Sequence, residues 1–209
     1  MLHFSMSTRT LHPPSHRRPQ VSLCDGIALE YGRTHEACGP ARRTFALWLA
    51  AATTGPVLWI SPAWEVDQLN PDGMMNFACP SRFLFLHARR QDDLLWATEE
   101  ALRSGQVPLV VTDLPAPPAL KPVRRLHLAA QSGGRHGPQP LGLLLTPGSG
   151  GAAGIESRRP LPPDHRDQHH HWQLQRLRAR TLPPRSWRLR HPAPRAMLEV
   201  VQPPLAVVS

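Results

Sequence analysis

The chain has 209 residues, enough for one domain of ordinary size with a real core, and 41% of them are hydrophobic, as in soluble globular proteins. The 25 prolines and 14 glycines crowd toward the ends and after Asp113, so the middle should be the best-ordered part. The net charge of +9 is largely C-terminal, because residues 114–209 carry fourteen basic groups against four acids. That skew fits a polyanion or an acidic protein as partner, and equally a GC-rich coding bias toward arginine, since Lys121 is the one lysine.

Residues 1–20 read as a flexible basic arm, and "MLHFSMSTRTLHPPSHRRP" has no apolar core of signal-peptide type. No run approaches the length of a membrane span, so no membrane contact and a cytoplasmic location are expected. Cys24, Cys38 and Cys79 are odd in number and widely spaced, which indicates neither a disulfide framework nor a zinc knuckle; they are expected to be reduced and buried.

Three strand-helix cycles follow. "THEAC" predicts a short strand, and residues 41–54 predict a helix that stops before Gly55-Pro56. "VLWIS" (57–61) is wholly apolar, as in a strand buried on both faces of a parallel sheet, and "FLFL" (83–86) repeats the signal. "QDDLLWATEEALRS" (91–104) is a helix with two acids in its first turn and Gly105 just past its end; "PLVVTD" (108–113) is the next buried strand. A last cycle runs from the helix at 121–131 into the strand "LGLLLT" (141–146). The expected fold is therefore α/β, with a mostly parallel central sheet flanked by helices. Residues 147–171 read as a mobile loop with no buried core, residues 171–189 as an antiparallel hairpin turning at Pro183-Pro184, and residues 191–209 as a flexible tail in which "MLEVV" offers a short docking element.

The turn at Gly39-Pro40 has the shape of a phosphate-binding loop without its grip. Such a loop needs G-x-x-x-x-G-K-[ST], so that backbone N–H groups wrap the phosphates and lysine neutralises them. Here Arg42, Arg43 and Thr44 follow Gly39 and Pro40, with neither a second glycine nor a lysine. Weak or no ATP binding is expected, with no cofactor and no catalysis. Asp113 ends a predicted parallel strand, where an acid often holds magnesium through water; without the lysine, a turn-capping role before Pro115 is favoured.

Other chemistry is sparse. His165, His169, His170 and His171, with Asp164 and Asp167, resemble a metal cluster, but neighbours on an extended chain point to opposite sides, so a solvated loop is expected. Ser149 and Ser157 lack a nucleophile elbow. Trp48, Trp59, Trp64 and Trp96 are expected to pack in the core. Trp172 and Trp187 lie among Arg176, Arg178, Arg180, Arg185, Arg188 and Arg190. That interleaving suits stacking on single-stranded bases, although inward-packed tryptophans beneath exposed arginines are favoured; Arg176, Arg178, Arg180 and Arg188 are the candidate nucleic-acid contacts.

The stretch "SLCDGIALEYGRTHEACGP" resembles the nucleotide-core entry of RecA-type recombinases, and "RFLFLHARRQDDLLWATEEALRSGQVPLVVTDLP" resembles their strand, helix and acid-tipped strand, with Asp113 in the magnesium-acid place. The likeness spans residues 21–190 in the order of elements and implies one RecA-like domain there. The lost lysine loop, "GPARRTFALWLA", "RRLHLAAQSGG" and "WQLQRLRAR" are most similar to ImuA proteins. These are SOS-induced accessory factors that act in translesion synthesis with an ImuB-like Y-family protein and the alpha subunit of an error-prone DNA polymerase. Ala63 stands where RecA has its water-activating acid, with Glu65 two residues away. The resemblance thus implies a non-catalytic adaptor, and the alternative is a single-stranded-DNA-binding regulator or residual ATPase of the same superfamily; the polar, proline-broken arm at residues 1–20, where RecA-type proteins join their neighbours, favours a monomer or hetero-complex over a filament.

Overall fold

The computed structural model describes residues 19–135, 137–163, 171–180 and 182–206. An N-terminal hairpin comes first, β1 (Gln20–Cys24) and β2 (Ile27–Glu30), joined through Asp25-Gly26. Asp-Gly is a strong two-residue hairpin signal because the turn needs positive φ, and Gly26 has φ 77°. The sequence reading placed no strand there.

The main body alternates strand and helix: β3 (Arg33–Cys38), α1 (Arg42–Ala52), β4 (Val57–Pro62), α2 (Pro71–Met74), β5 (Phe83–Ala88), α3 (Gln91–Ser104), β6 (Leu109–Asp113), α4 (Leu120–Gly133) and β7 (Leu141–Thr146). Four strands complete it: β8 (Glu156–Leu161), β9 (His171–Arg178), β10 (Arg185–Arg190) and β11 (Glu199–Ala206). All but the first two join one nine-stranded sheet in the order β11-β10-β9-β8-β3-β7-β6-β4-β5. From β8 to β5 every neighbouring pair is parallel, whereas β8 to β11 pair antiparallel. The fold is thus mixed α/β, with a mostly parallel central sheet, flanking helices and a C-terminal antiparallel strand set, as the patterning implied.

The period of two along each strand divides the core into two layers. Leu141, Leu143 and Leu145 of β7, with Leu109 and Val111 of β6, face α1 and the β1–β2 hairpin, where Phe45, Leu49 and Leu29 meet them. Leu144 and Val110 face the other way, against Leu94 and Leu102 of α3 and Val123 and Leu126 of α4. Helices α3 and α4 end in mutual contact. Gly105 takes φ 66° as the C-cap of α3, and a Cβ there would collide with the Gly133 carbonyl.

Several expectations need correction. Residues 147–171 are not a mobile loop throughout: Ala152 and Ile155 are buried, and β8 extends the parallel sheet beside β3. Strand β8 was hidden because "ESRRPL" is polar and carries a proline, whereas its place comes from pairing with β3 and β9. The expected C-terminal tail includes β11, paired with β10. Strand β5 is the edge of the sheet rather than a strand buried on both faces, so Leu84 and Phe85 are half-exposed. Trp48 and Trp59 are core residues, but Trp64 and Trp96 are exposed, and so is Cys79.

Candidate functional site at the carboxyl ends of the parallel strands

Parallel strands present loops at their carboxyl ends, and here those ends gather the turn after β3, the start of α1 and the end of β6. Gly39 makes the turn possible: its φ is 88°, its N–H donates to the Thr146 carbonyl at 3.2 Å, and a Cβ would press on Arg159. Pro40 and Ala41 complete the turn. Helix α1 then begins with Arg42 and Arg43 and carries no acid in its first turn and no side-chain cap. Two cations at the positive end of a helix dipole are unfavourable unless something compensates.

Asp113 compensates. It ends β6, is 2% exposed, and accepts from both arginines: Arg43 Nε to Oδ2 at 2.6 Å and Arg42 Nε to Oδ1 at 3.3 Å. Arg42 Nη1 also donates to the Gly39 carbonyl at 3.3 Å, and Arg43 Nη1 to the Asp67 carbonyl at 2.7 Å. Asp113 is therefore an ion-pair partner rather than a turn cap, and both arginines are directed inward across the turn. Thr44 follows half-buried on α1. Glu65 lies 3.7 Å from Arg43 Nη2, on the wall of a cleft of about 310 Å³ that also holds Trp59, Phe85 and a Ser61–His87 hydrogen bond of 3.0 Å.

A second carboxylate went unnoticed in the sequence. Glu36 of β3 is fully buried; its Oε1 accepts from Thr146 Oγ1 at 2.8 Å and from the N–H groups of Gly151 and Ala152 at 3.1 and 3.2 Å. Its Oε2 meets Arg178 Nη2 at 3.1 Å. This carboxylate ties β3 and β7 to the glycine-rich segment and to β9. The sequence carried no clear signal for it, because β3 reads Arg-Thr-His-Glu-Ala-Cys and its polar residues are buried only by the neighbouring strands.

The candidate nucleic-acid arginines separate. Arg176 is 6% exposed, with Nε and Nη2 donating to the Pro183 carbonyl and its guanidinium 5.2 Å from the Trp187 ring centroid. It is a buried residue, not an exposed phosphate contact. Alternation explains this: Leu174, Arg176, Trp187 and Leu189 share the face beneath the β1–β2 hairpin. Arg178 is half-exposed but engaged by Glu36, whereas Arg180 and Arg188 are exposed. The tryptophans pack inward: Trp187 is 4% exposed, and Trp172 meets Trp48 edge to face at 5.0 Å.

Beneath the hairpin, His35 is 2% exposed. Its Nε2–H donates to the Glu30 carbonyl at 3.0 Å, while Nδ1 lies 3.5 Å from Arg158 Nη1 and 3.6 Å from Glu156 Oε2. Burial pushes the His35 pKa down, and His35 together with Arg158 holds the Glu156 carboxyl at about 2. The histidine-rich stretch at 164–170, expected to be a solvated loop, lies outside the described residues; His171 opens β9, and among the described residues no group of three or more His, Cys, Asp or Glu could hold a metal ion. No described helix is long and apolar enough to cross a membrane.

Fold and site together define an α/β domain in which a three-residue turn and a partly buried Arg-Arg-Asp cluster stand at the strand-to-helix position where nucleotide-binding members of this class of fold hold phosphate. No protein-family model matches the chain, and none of the curated proteins does. Among solved structures, the chain is similar to SulA from Pseudomonas aeruginosa, at 22% identity and a TM-score of 0.41, over 55% of this chain and 98% of that one.

Proposed function

We propose that this chain is a non-catalytic, RecA-like accessory protein of SOS-induced mutagenic translesion DNA synthesis. In this reading it is an adaptor for an ImuB-like Y-family protein and the alpha subunit of an error-prone DNA polymerase. The partners come from the sequence resemblance to ImuA. The non-catalytic half rests on one observation: Asp113, the acid in the magnesium place, is engaged by Arg42 and Arg43 at 3.3 and 2.6 Å. An acid so paired has two cations where a metal would bring its charge, and the loop has no lysine for a terminal phosphate.

The test is to tag the protein in its native cells, damage the DNA, and identify what co-purifies after nuclease treatment. Recovery of a Y-family-like protein or an error-prone polymerase supports the adaptor. Recovery of neither, with single-stranded DNA bound in the untreated sample, moves the function to the exposed arginines Arg180 and Arg188. A calorimetric ATP dissociation constant in the low micromolar range would overturn the non-catalytic half.

A further inference from the structure

A cleft of about 460 Å³ opens between the β1–β2 hairpin and strands β8 to β10, away from the Asp113 cluster. Arg158 and Arg176, 5% and 6% exposed, form its floor; Ile27, Trp187 and the carboxylate of Glu156 line it beside them, and the more exposed Ser22 and Glu30 lie toward the mouth. Sheet register creates this floor. Arg158 stands opposite Arg176 across β8 and β9, and Arg185 stands opposite Arg176 across β9 and β10. Residues directly opposite share a face, so three guanidinium groups lie in a row, an arrangement that repels itself.

The two floor arginines differ in compensation. Arg158 has Glu156 Oε2 at 3.3 Å and the Ala28 carbonyl at 3.0 Å. Arg176 has only the Pro183 carbonyl and the Trp187 ring, and among the described residues no carboxylate lies within ion-pair distance of it. Neither nearby acid is idle: Glu156 serves Arg158, and Glu30 lies 3.7 Å from Arg33. Desolvation, followed by the charge of Arg185, pushes the Arg176 pKa below the usual guanidinium range, and the charge of Glu156 offsets only part of that. Almost every buried charge in a protein is closely paired, so a buried cation that faces a cleft with no carboxylate at ion-pair distance marks a place for an anion.

We infer that this cleft binds a small-molecule oxyanion, a phosphate or carboxylate group that gives Arg176 a counter-charge at ion-pair distance. The volume lies in the range of small-molecule sites, about 300–1,000 Å³. The site is independent of the adaptor reading and of the α1 turn.

Isothermal titration calorimetry of the full chain at low salt, with inorganic phosphate, adenosine monophosphate and benzoate as probes, tests it. At least one probe should bind with a dissociation constant below about 1 mM. A phosphate or nucleotide preference identifies a phosphate source, and a benzoate preference a carboxylate. Arg176→Gln should weaken binding about 10- to 100-fold, the worth of a charge-assisted hydrogen bond. Ser22→Trp, at an exposed position of the mouth, should weaken binding without touching the floor, and decides the matter if Arg176→Gln loses its near-UV circular dichroism. Arg43→Gln should leave binding unchanged. The inference is overturned if no probe binds below about 1 mM. It is equally overturned if neither cleft variant weakens binding, or if the loss follows Arg43.

Discussion

Replacing Asp113 by Asn tests how α1 is held on the sheet. The substitution keeps the shape and one acceptor but removes the charge that faces Arg42 and Arg43. A charge-assisted hydrogen bond contributes about 1.5–3 kcal/mol, and the 2.6 Å bond from Arg43 belongs in that class, whereas the 3.3 Å bond from Arg42 is weaker. Breaking a fully buried pair costs about 3–5 kcal/mol, but these arginine side chains are 21% and 22% exposed, so water recovers part of the loss. Among the described residues, Arg42 then has no carboxylate beside it and Arg43 keeps only Glu65 at 3.7 Å, which adds about 0.3–1 kcal/mol through the helix dipole. The net expectation is a loss of about 2–3 kcal/mol, or a fall in Tm of about 4–12 °C for a chain of this size. Thermal unfolding followed by circular dichroism measures it, and a cycle with Arg43→Gln isolates the pair, with an expected coupling of at least about 1 kcal/mol. A Tm within about 1 °C of the parent, with additive single effects, would refute the claim that this ion pair anchors the helix.

Four further outcomes follow from the geometry. Glu36→Ala should cost about 3–5 kcal/mol, because it leaves the Thr146 hydroxyl, two backbone N–H groups and Arg178 without their acceptor; chemical denaturation reads the loss, and faster proteolysis within 147–154 should accompany it. Gly105→Ala should destabilise by more than about 1 kcal/mol, since it adds positive-φ strain to a collision with Gly133. Phe45→Ala, at a fully buried position, should cost about 3–5 kcal/mol in the same assay.

The fourth outcome concerns pH. His35 has a folded pKa below 6.5, so the unfolded chain takes up its proton first and stability should begin to fall as pH drops through 6.5. Glu156, lowered from 4.5 to about 2, contributes stability that is present above 4.5 and is lost as pH falls toward 2. Urea midpoints measured from pH 8 to pH 2 should fall across both windows, and His35→Gln should remove the upper one. An unchanged upper window in that variant would exclude His35 as its cause.

Local patterning by itself determined the repeating core. The helix 91–104 and the strand 141–146 appear at the expected residues, because two acids with a trailing glycine, or an unbroken apolar run, are read from neighbours alone. The absence of the phosphate-loop lysine was likewise a property of the sequence. What only tertiary structure decided were matters of partner choice. Strand β8 has no apolar run, yet β3 supplies its ladder; "FLFL" has one, yet it lies at an edge because no strand pairs beyond it in the sheet order. Arg176 and Arg188 look alike in sequence, but the hairpin β1–β2 covers one face of β9 and β10, so one is buried and the other exposed. The Asp113 cluster joins residues about seventy positions apart, and Glu36 reaches Arg178 across 142. No periodicity records such distances: a buried charge needs a partner, but which charges are buried and which partner each one finds are decided by the folded chain.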